Sequence, residues 1–139
     1  MYKKIFSTKV SLITPKPPKD AASVVSVGEK MQPYIQKFFK GSLAIRVVTA
    51  GSTNACEQEL VALGNAFYDV ERFGIHFVAS PRHADMLIVT GPVTRNMRQA
   101  LSRTYEAMPN PKIVIALGDD AIDGGIFRGS YAVCDGALS

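Results

Sequence analysis

Apolar positions along the chain follow two rhythms. From residue 43 onward, short continuous apolar runs alternate with stretches whose apolar residues recur every three or four positions. Leu43–Ala50 is a β-branched run ending at Gly51, which predicts a strand and a tight turn. Ile75–Val78 predicts a short strand closed by Ser80-Pro81. Met86–Thr90 and Ile113–Leu117 are near-continuous apolar runs, the pattern of strands covered on both faces. Glu57–Phe67 reads as a helix with Leu60, Leu63, Gly64 and Phe67 on one side. A second helix runs from a Thr94 cap to Met108, with Met97, Ala100, Leu101, Tyr105 and Met108 sharing a face. Pro109 and Pro111 stop it. Strands and helices alternating at this length predict an α/β domain, a parallel sheet sandwiched between helices. Such a sheet takes ligands at the carboxyl ends of its strands, here the loops Gly51–Cys56, Thr90–Thr94 and Gly118–Gly125.

The leading residues have a different texture. Pro15-Lys16-Pro17-Pro18-Lys19 cannot be helix interior and predicts an extended linker. Val27, Met31, Tyr34, Ile35 and Phe38 form a helical stripe, with Lys30, Lys37 and Lys40 away from its centre. Pro33 interrupts it, so the pattern fits one short helix from Pro33 or one kinked helix. A basic helix carrying Phe38 and Phe39 suits a membrane surface, a partner or its own domain, and the pattern does not choose. The expected division is a basic, Pro-containing extension over 1–42 and an α/β domain over 43–139.

Composition narrows the classes. At 139 residues and 47% hydrophobic, the chain is expected to form one folded domain. It lacks an apolar span of about 18 residues and a secretory signal pattern, so a soluble, cytoplasmic protein is the expectation. Two cysteines, Cys56 and Cys134, cannot build a disulfide framework or a four-cysteine metal site. The net charge of +4 is uneven. Residues 1–49 carry nine Lys/Arg against Asp20 and Glu29, whereas residues 50–139 carry seven against ten acids. A basic leading third suits an anionic surface or an acidic partner as well as plain solvation.

Gly51-Ser52-Thr53-Asn54-Ala55-Cys56 lacks both the lysine of a P-loop and the glycines of a dinucleotide fingerprint, which argues against nucleotide binding. Cys56 falls near a predicted helix N-terminus, where a thiol is activated. The candidate bases are His76, inside a strand pattern, and His83, and no oxyanion donor or third partner accompanies them. Asp119 and Asp120 fit a helix cap or solvated turn better than a divalent-cation site.

Read with its flanks, the first loop resembles a known family. Gly51-Ser52-Thr53-Asn54-Ala55-Cys56-Glu57, Tyr68-Asp69-Val70-Glu71-Arg72-Phe73-Gly74, Ala79-Ser80-Pro81-Arg82-His83-Ala84-Asp85 and Val89-Thr90-Gly91-Pro92-Val93-Thr94 occur in the family's order. So do Gly118-Asp119-Asp120-Ala121, Asp123-Gly124-Gly125-Ile126-Phe127 and Gly129-Ser130-Tyr131-Ala132-Val133. The family is the cluster-carrying small subunit of membrane-bound [NiFe] hydrogenases, related to the 20 kDa subunit of respiratory complex I. The resemblance covers residues 43–136 and implies a flavodoxin-like three-layer α/β fold.

The resemblance also implies a [4Fe–4S] cluster on four cysteines, and this chain departs from that pattern. By position, the first ligand falls on Thr53, the second on Cys56 and the third on Asp120. The fourth, in a Pro-Gly-Cys-Pro-Pro motif, has no counterpart up to Ser139. Iron–sulfur clusters need soft thiolate donors, so the expectation is no cofactor, with Thr53 and Asp120 hydrogen-bonded across the vacated pocket. Cys134 follows a non-ligand segment and is expected to act as a small hydrophobe. The resemblance implies contact with a large catalytic-type subunit through Glu71, Arg72, Phe73, Arg82 and His83. The competing reading for Arg72 is an ion pair with Asp69 or Asp85. The implied role is an accessory, non-catalytic subunit of a redox assembly on the cytoplasmic face of the inner membrane, with no nucleic-acid partner. The alternative is an electron-transfer subunit whose cluster has atypical or partner-supplied ligands.

Overall fold

The structure is a computed structural model that describes residues 24–51 and 53–137. The Pro15–Lys19 linker, the lysines before it and Ser52 lie outside the described residues. Four strands form one parallel sheet: β1 (Leu43–Thr49), β2 (Ile75–Phe77), β3 (Met86–Thr90) and β4 (Ile113–Leu117). Their order is β2-β1-β3-β4, the arrangement of a flavodoxin-like sheet. The register pairs Val48 with Val89 and Val89 with Ala116, so the carboxyl ends of β1, β3 and β4 lie level.

Two apolar layers sandwich the sheet. On one face, Ile45 and Ile88 pack with Leu43, Val70, Ile75 and Ile35, the last from helix α1 (Val24–Phe39). Leu60 and Leu63 of α2 (Ala55–Leu63) complete this layer. On the other face, Val48, Ala50, Leu87 and Val89 pack with Ala84, Val93 and Met108, and with Met97 and Leu101 of α3 (Arg95–Ala107). The α/β sandwich read from the alternation of runs is therefore present. α1 is one helix running through Pro33. It buries Ile35 and lies so close to the 3₁₀ turn Val70–Phe73 that a Cβ at Gly28 would sit 2.5 Å from the Phe73 ring.

Two expectations need correction. The helix placed over 57–67 begins at Ala55 and ends at Leu63, capped by Gly64. The Asn65 side chain then accepts from the backbone of Phe67 and Tyr68, a turn that leaves Phe67 82% exposed instead of on the helix stripe. β4, expected to be covered on both faces, is the outer strand among the described residues, and there Ile113, Val114 and Ile115 are 42%, 47% and 38% exposed. Composition encodes how apolar a strand is. Only pairing decides which strand lies outermost.

Candidate functional site: a pocket at the carboxyl ends of the strands

The loops after β1, β3 and β4 meet at one end of the sheet, as the strand-end rule requires. They enclose a pocket of about 210 Å³ lined by Thr53, Ala55, Cys56, Gly91, Gly118, Asp119 and Asp120. Thr53, Cys56 and Asp120, the positions that the resemblance implies as cluster ligands, thus line one pocket. Gly91 (φ 70°) and Gly118 (φ 88°) bring the β3 and β4 loops in. A Cβ on Gly118 would lie 3.0 Å from Cys56 Sγ, so this wall admits only glycine without strain. The part played by Gly91 was not anticipated. A glycine directly after an apolar strand is the signal that points to it.

Each polar group of the pocket has a defined place. Cys56 is in the first turn of α2, half-buried, and its thiol donates to the Leu117 carbonyl at 3.7 Å. Asp119 and Asp120 open the short helix α4 (Asp119–Asp123), where carboxylates favour the helix dipole. The Asp120 carboxylate packs against Gly125 so closely that a Cβ there would overlap it. Thr53 is exposed. Among the described residues no hydrogen bond joins Thr53 to Asp120, so the cross-pocket bond expected from sequence is not the contact that closes the loops. The thiol–carbonyl bond from Cys56 and the fully buried Thr90, whose hydroxyl donates to the Glu57 carboxylate, hold α2 to the strand ends instead. Glu57 was not expected to have this role. A threonine closing an apolar strand, opposite an acid in a helix's first turn, is the pattern that reveals it.

These donors do not fit an iron–sulfur cluster. One thiol, one hydroxyl and one carboxylate form a mostly hard set, whereas clusters of this kind are usually held by soft thiolates. The carboxylate is packed onto the backbone of the next turn, and the single thiol is engaged by a carbonyl. Among the described residues, no group of three His, Cys, Asp or Glu is arranged to hold a metal ion.

The other candidates are not gathered here. Glu71, Arg72 and Phe73 lie in the turn before β2, at the amino ends of the strands, where Gly74 accepts from the Leu43 amide. Glu71 and Arg72 are exposed, and the Arg72 guanidinium lies over the Phe73 ring at 4.7 Å. Among the described residues Arg72 forms no ion pair with Asp69 or Asp85, and Asp85 accepts from the Ala44 amide instead. Phe73 itself is 7% exposed, so it supports this surface from beneath. Arg82 and His83 are exposed in the turn Pro81–His83, which packs with α3 across the sheet from α1. Cys56 and His83 therefore form no dyad. Cys134 is half-buried against the α3-side core, as a small hydrophobe would be.

A family profile matches residues 54–138, that of the NADH ubiquinone oxidoreductase 20 kDa subunit. The chain belongs to this family. Within it, the chain is 44% identical over 99 residues to a probable membrane-bound hydrogenase subunit of Pyrococcus furiosus, covering 71% of this chain and 59% of the relative. It is 41% identical over 125 residues to formate hydrogenlyase subunit 7 of Escherichia coli, covering 86% and 49%. A solved relative belongs to the membrane-bound sulfane sulfur reductase, an archaeal respiratory membrane complex, with TM-score 0.60 and 38% identity over 74% of this chain and 56% of that one. This 20 kDa-type chain thus spans roughly half to three-fifths of the length of the proteins it matches. No described helix is long and apolar enough to cross a membrane.

Proposed function

We propose that this chain is a structural subunit of a membrane-associated hydrogenase- or complex I-like oxidoreductase assembly, one that keeps the family's fold without carrying electrons. The supporting observation is the pocket of Thr53, Cys56 and Asp120, in which a single sulfur stands at the three matched ligand positions. Threonine and aspartate at two of them suffice for the argument, wherever the chain ends. Docking to a large catalytic-type subunit uses Glu71 and Arg72, held by the buried Phe73, with Arg82 and His83 as a second contact on the other side of the sheet. An exposed arginine offers a bidentate donor to a partner carboxylate. Membrane association on the cytoplasmic side is supported by α1, where Val27, Met31, Tyr34 and Phe38 form an exposed stripe beside Lys30 and Lys37.

Iron and acid-labile sulfide analysis tests this reading on protein purified without oxygen from its native cell. The expected result is far less than one iron per chain and no broad visible absorption. About four irons per chain, lost in Cys56→Ser, would instead establish the electron-transfer alternative with partner-supplied ligands.

A further inference from the structure

β1 carries one charge into the middle of the sheet. Arg46 is paired in register with Leu87 of β3, and β1 itself lies between β2 and β3. Side chains alternate along a strand, so Arg46 faces the same side as Val48 and Ala50, the α3 side. The connection from β2 to β3 crosses β1 on that side. It leaves where the Val78 amide donates to the Ile45 carbonyl, and returns where the Asp85 amide donates to the Ala44 carbonyl. Val78 and Ala84, near its two ends, both pack into the α3-side core. Arg46 therefore lies where this connection, with its turn Pro81–His83, passes over the strand.

Arg46 is half-buried, and its Nε is the one buried side-chain polar atom without a hydrogen-bond partner among the described residues. The guanidinium forms no ion pair there, and its terminal nitrogens, also without hydrogen bonds, are open to solvent. Taking a guanidinium partly out of water with no acid beside it is unfavourable, and an apolar residue of similar size would serve the fold better. The surroundings do not supply the acid. Asp85 accepts from the Ala44 amide, and Glu106 of α3 accepts from the Ser102 hydroxyl. The crossing turn adds basic groups instead: Arg82 and His83 are exposed, and among the described residues neither side chain has a hydrogen-bond or ionic partner.

Charge selects the occupant. Residues 1–23 carry five lysines against one acid, so this basic site repels them. A second copy docked here about a two-fold axis sets the same basic groups against each other. Residues following Ala137 depart from beside α4, where the Ala137 amide donates to Ala121, and α4 follows the strand farthest from β2. We infer that Arg46 receives a carboxylate from a different subunit, an Asp or Glu side chain held by its two terminal nitrogens, with Arg82 and His83 at the rim. This rests on the subunit reading above and gives its Arg82–His83 contact a partner chemistry and a half-buried anchor.

The test is photocrosslinking of the full chain in its native cell, with p-benzoylphenylalanine replacing the exposed Ala79 of the crossing connection. The expected product is a crosslinked peptide from another subunit that contains Asp or Glu. Its yield should fall about tenfold when Arg46→Met is added and hold in Arg128→Met, whose arginine is already paired with Asp123. Changing the partner's acid to its amide should give a similar loss, with no further loss when Arg46→Met is combined with it. The urea midpoint of the purified Arg46→Met chain should match or exceed that of the unsubstituted chain; a lower midpoint gives Arg46 a structural role and overturns the inference. Crosslinks to residues 1–23, to residues beyond Ser139, to a second copy, to lipid or to a peptide without acids overturn it too. A yield unchanged in Arg46→Met overturns this inference and leaves the subunit reading standing. No crosslink to another subunit overturns both, and the iron analysis reports separately.

Discussion

The Cys56 thiol donates to the Leu117 carbonyl across 3.7 Å, tying the first turn of α2 to the last residue of β4. Where the resemblance implies a thiolate bonded to iron, this sulfur makes a weak hydrogen bond that holds two loops together. Its surroundings yield a direct test. Thr53→Cys with Asp120→Cys places three soft donors around the pocket. The double variant is expected to gain visible absorption and bind iron after anaerobic reconstitution with iron and sulfide, while the unsubstituted chain stays colourless. Equal iron uptake by both would refute the claim that donor chemistry excludes the cluster.

The buried Thr90 hydroxyl is the donor that β3 offers to Glu57. Thr90→Val keeps the shape and deletes that donor, leaving a partly buried carboxylate less satisfied. A loss of about 1–3 kcal/mol in urea unfolding is expected, with Thr90→Ser much closer to the unsubstituted chain.

Gly28 lies in α1, where alanine ordinarily favours a helix by about 1 kcal/mol. Here a Cβ would meet three Phe73 ring atoms at 2.5–2.7 Å. Overpacking of about 1–3 kcal/mol should reverse the sign, so Gly28→Ala lowers the unfolding midpoint. Adding Phe73→Leu to Gly28→Ala should recover part of the loss. A plain stabilisation by Gly28→Ala would show that α1 does not pack here as described.

Arg72 is exposed and stacked on Phe73, an interaction worth about 0.5–1 kcal/mol at the surface. Arg72→Glu should therefore cost at most about 1 kcal/mol of stability. If the 71–74 turn docks a large subunit, the same change should cut co-purification about tenfold or more, through reversal of one interfacial charge. Unchanged co-purification would remove Arg72 from the contact.

Much of this was legible from residue patterns. β3 and β4 have the bounds that their apolar runs predict, and Thr94 caps α3 by accepting from the Met97 amide. The ligand-position loops also come together as the strand-end rule requires. What escaped sequence reading depends on long-range packing. Phe73 looks like a surface anchor within Glu71-Arg72-Phe73-Gly74, but the missing Cβ of Gly28 opens a place for its ring under α1. Arg82 and His83 sit nine residues beyond Phe73 and Gly74, yet they fall on the opposite side of the sheet.

By itself the sequence determined which segments become strands and helices, and which residue types stand at Thr53, Cys56 and Asp120, the positions that the resemblance matches to ligands. Those properties are local, written in side-chain periodicity and chemical identity. Tertiary structure alone decided that β4 is the outer strand among the described residues, that Phe73 turns inward, and that Cys56 bonds a carbonyl. Each of these follows from which distant segments pair and pack, and a run of apolar residues carries no label for its neighbour.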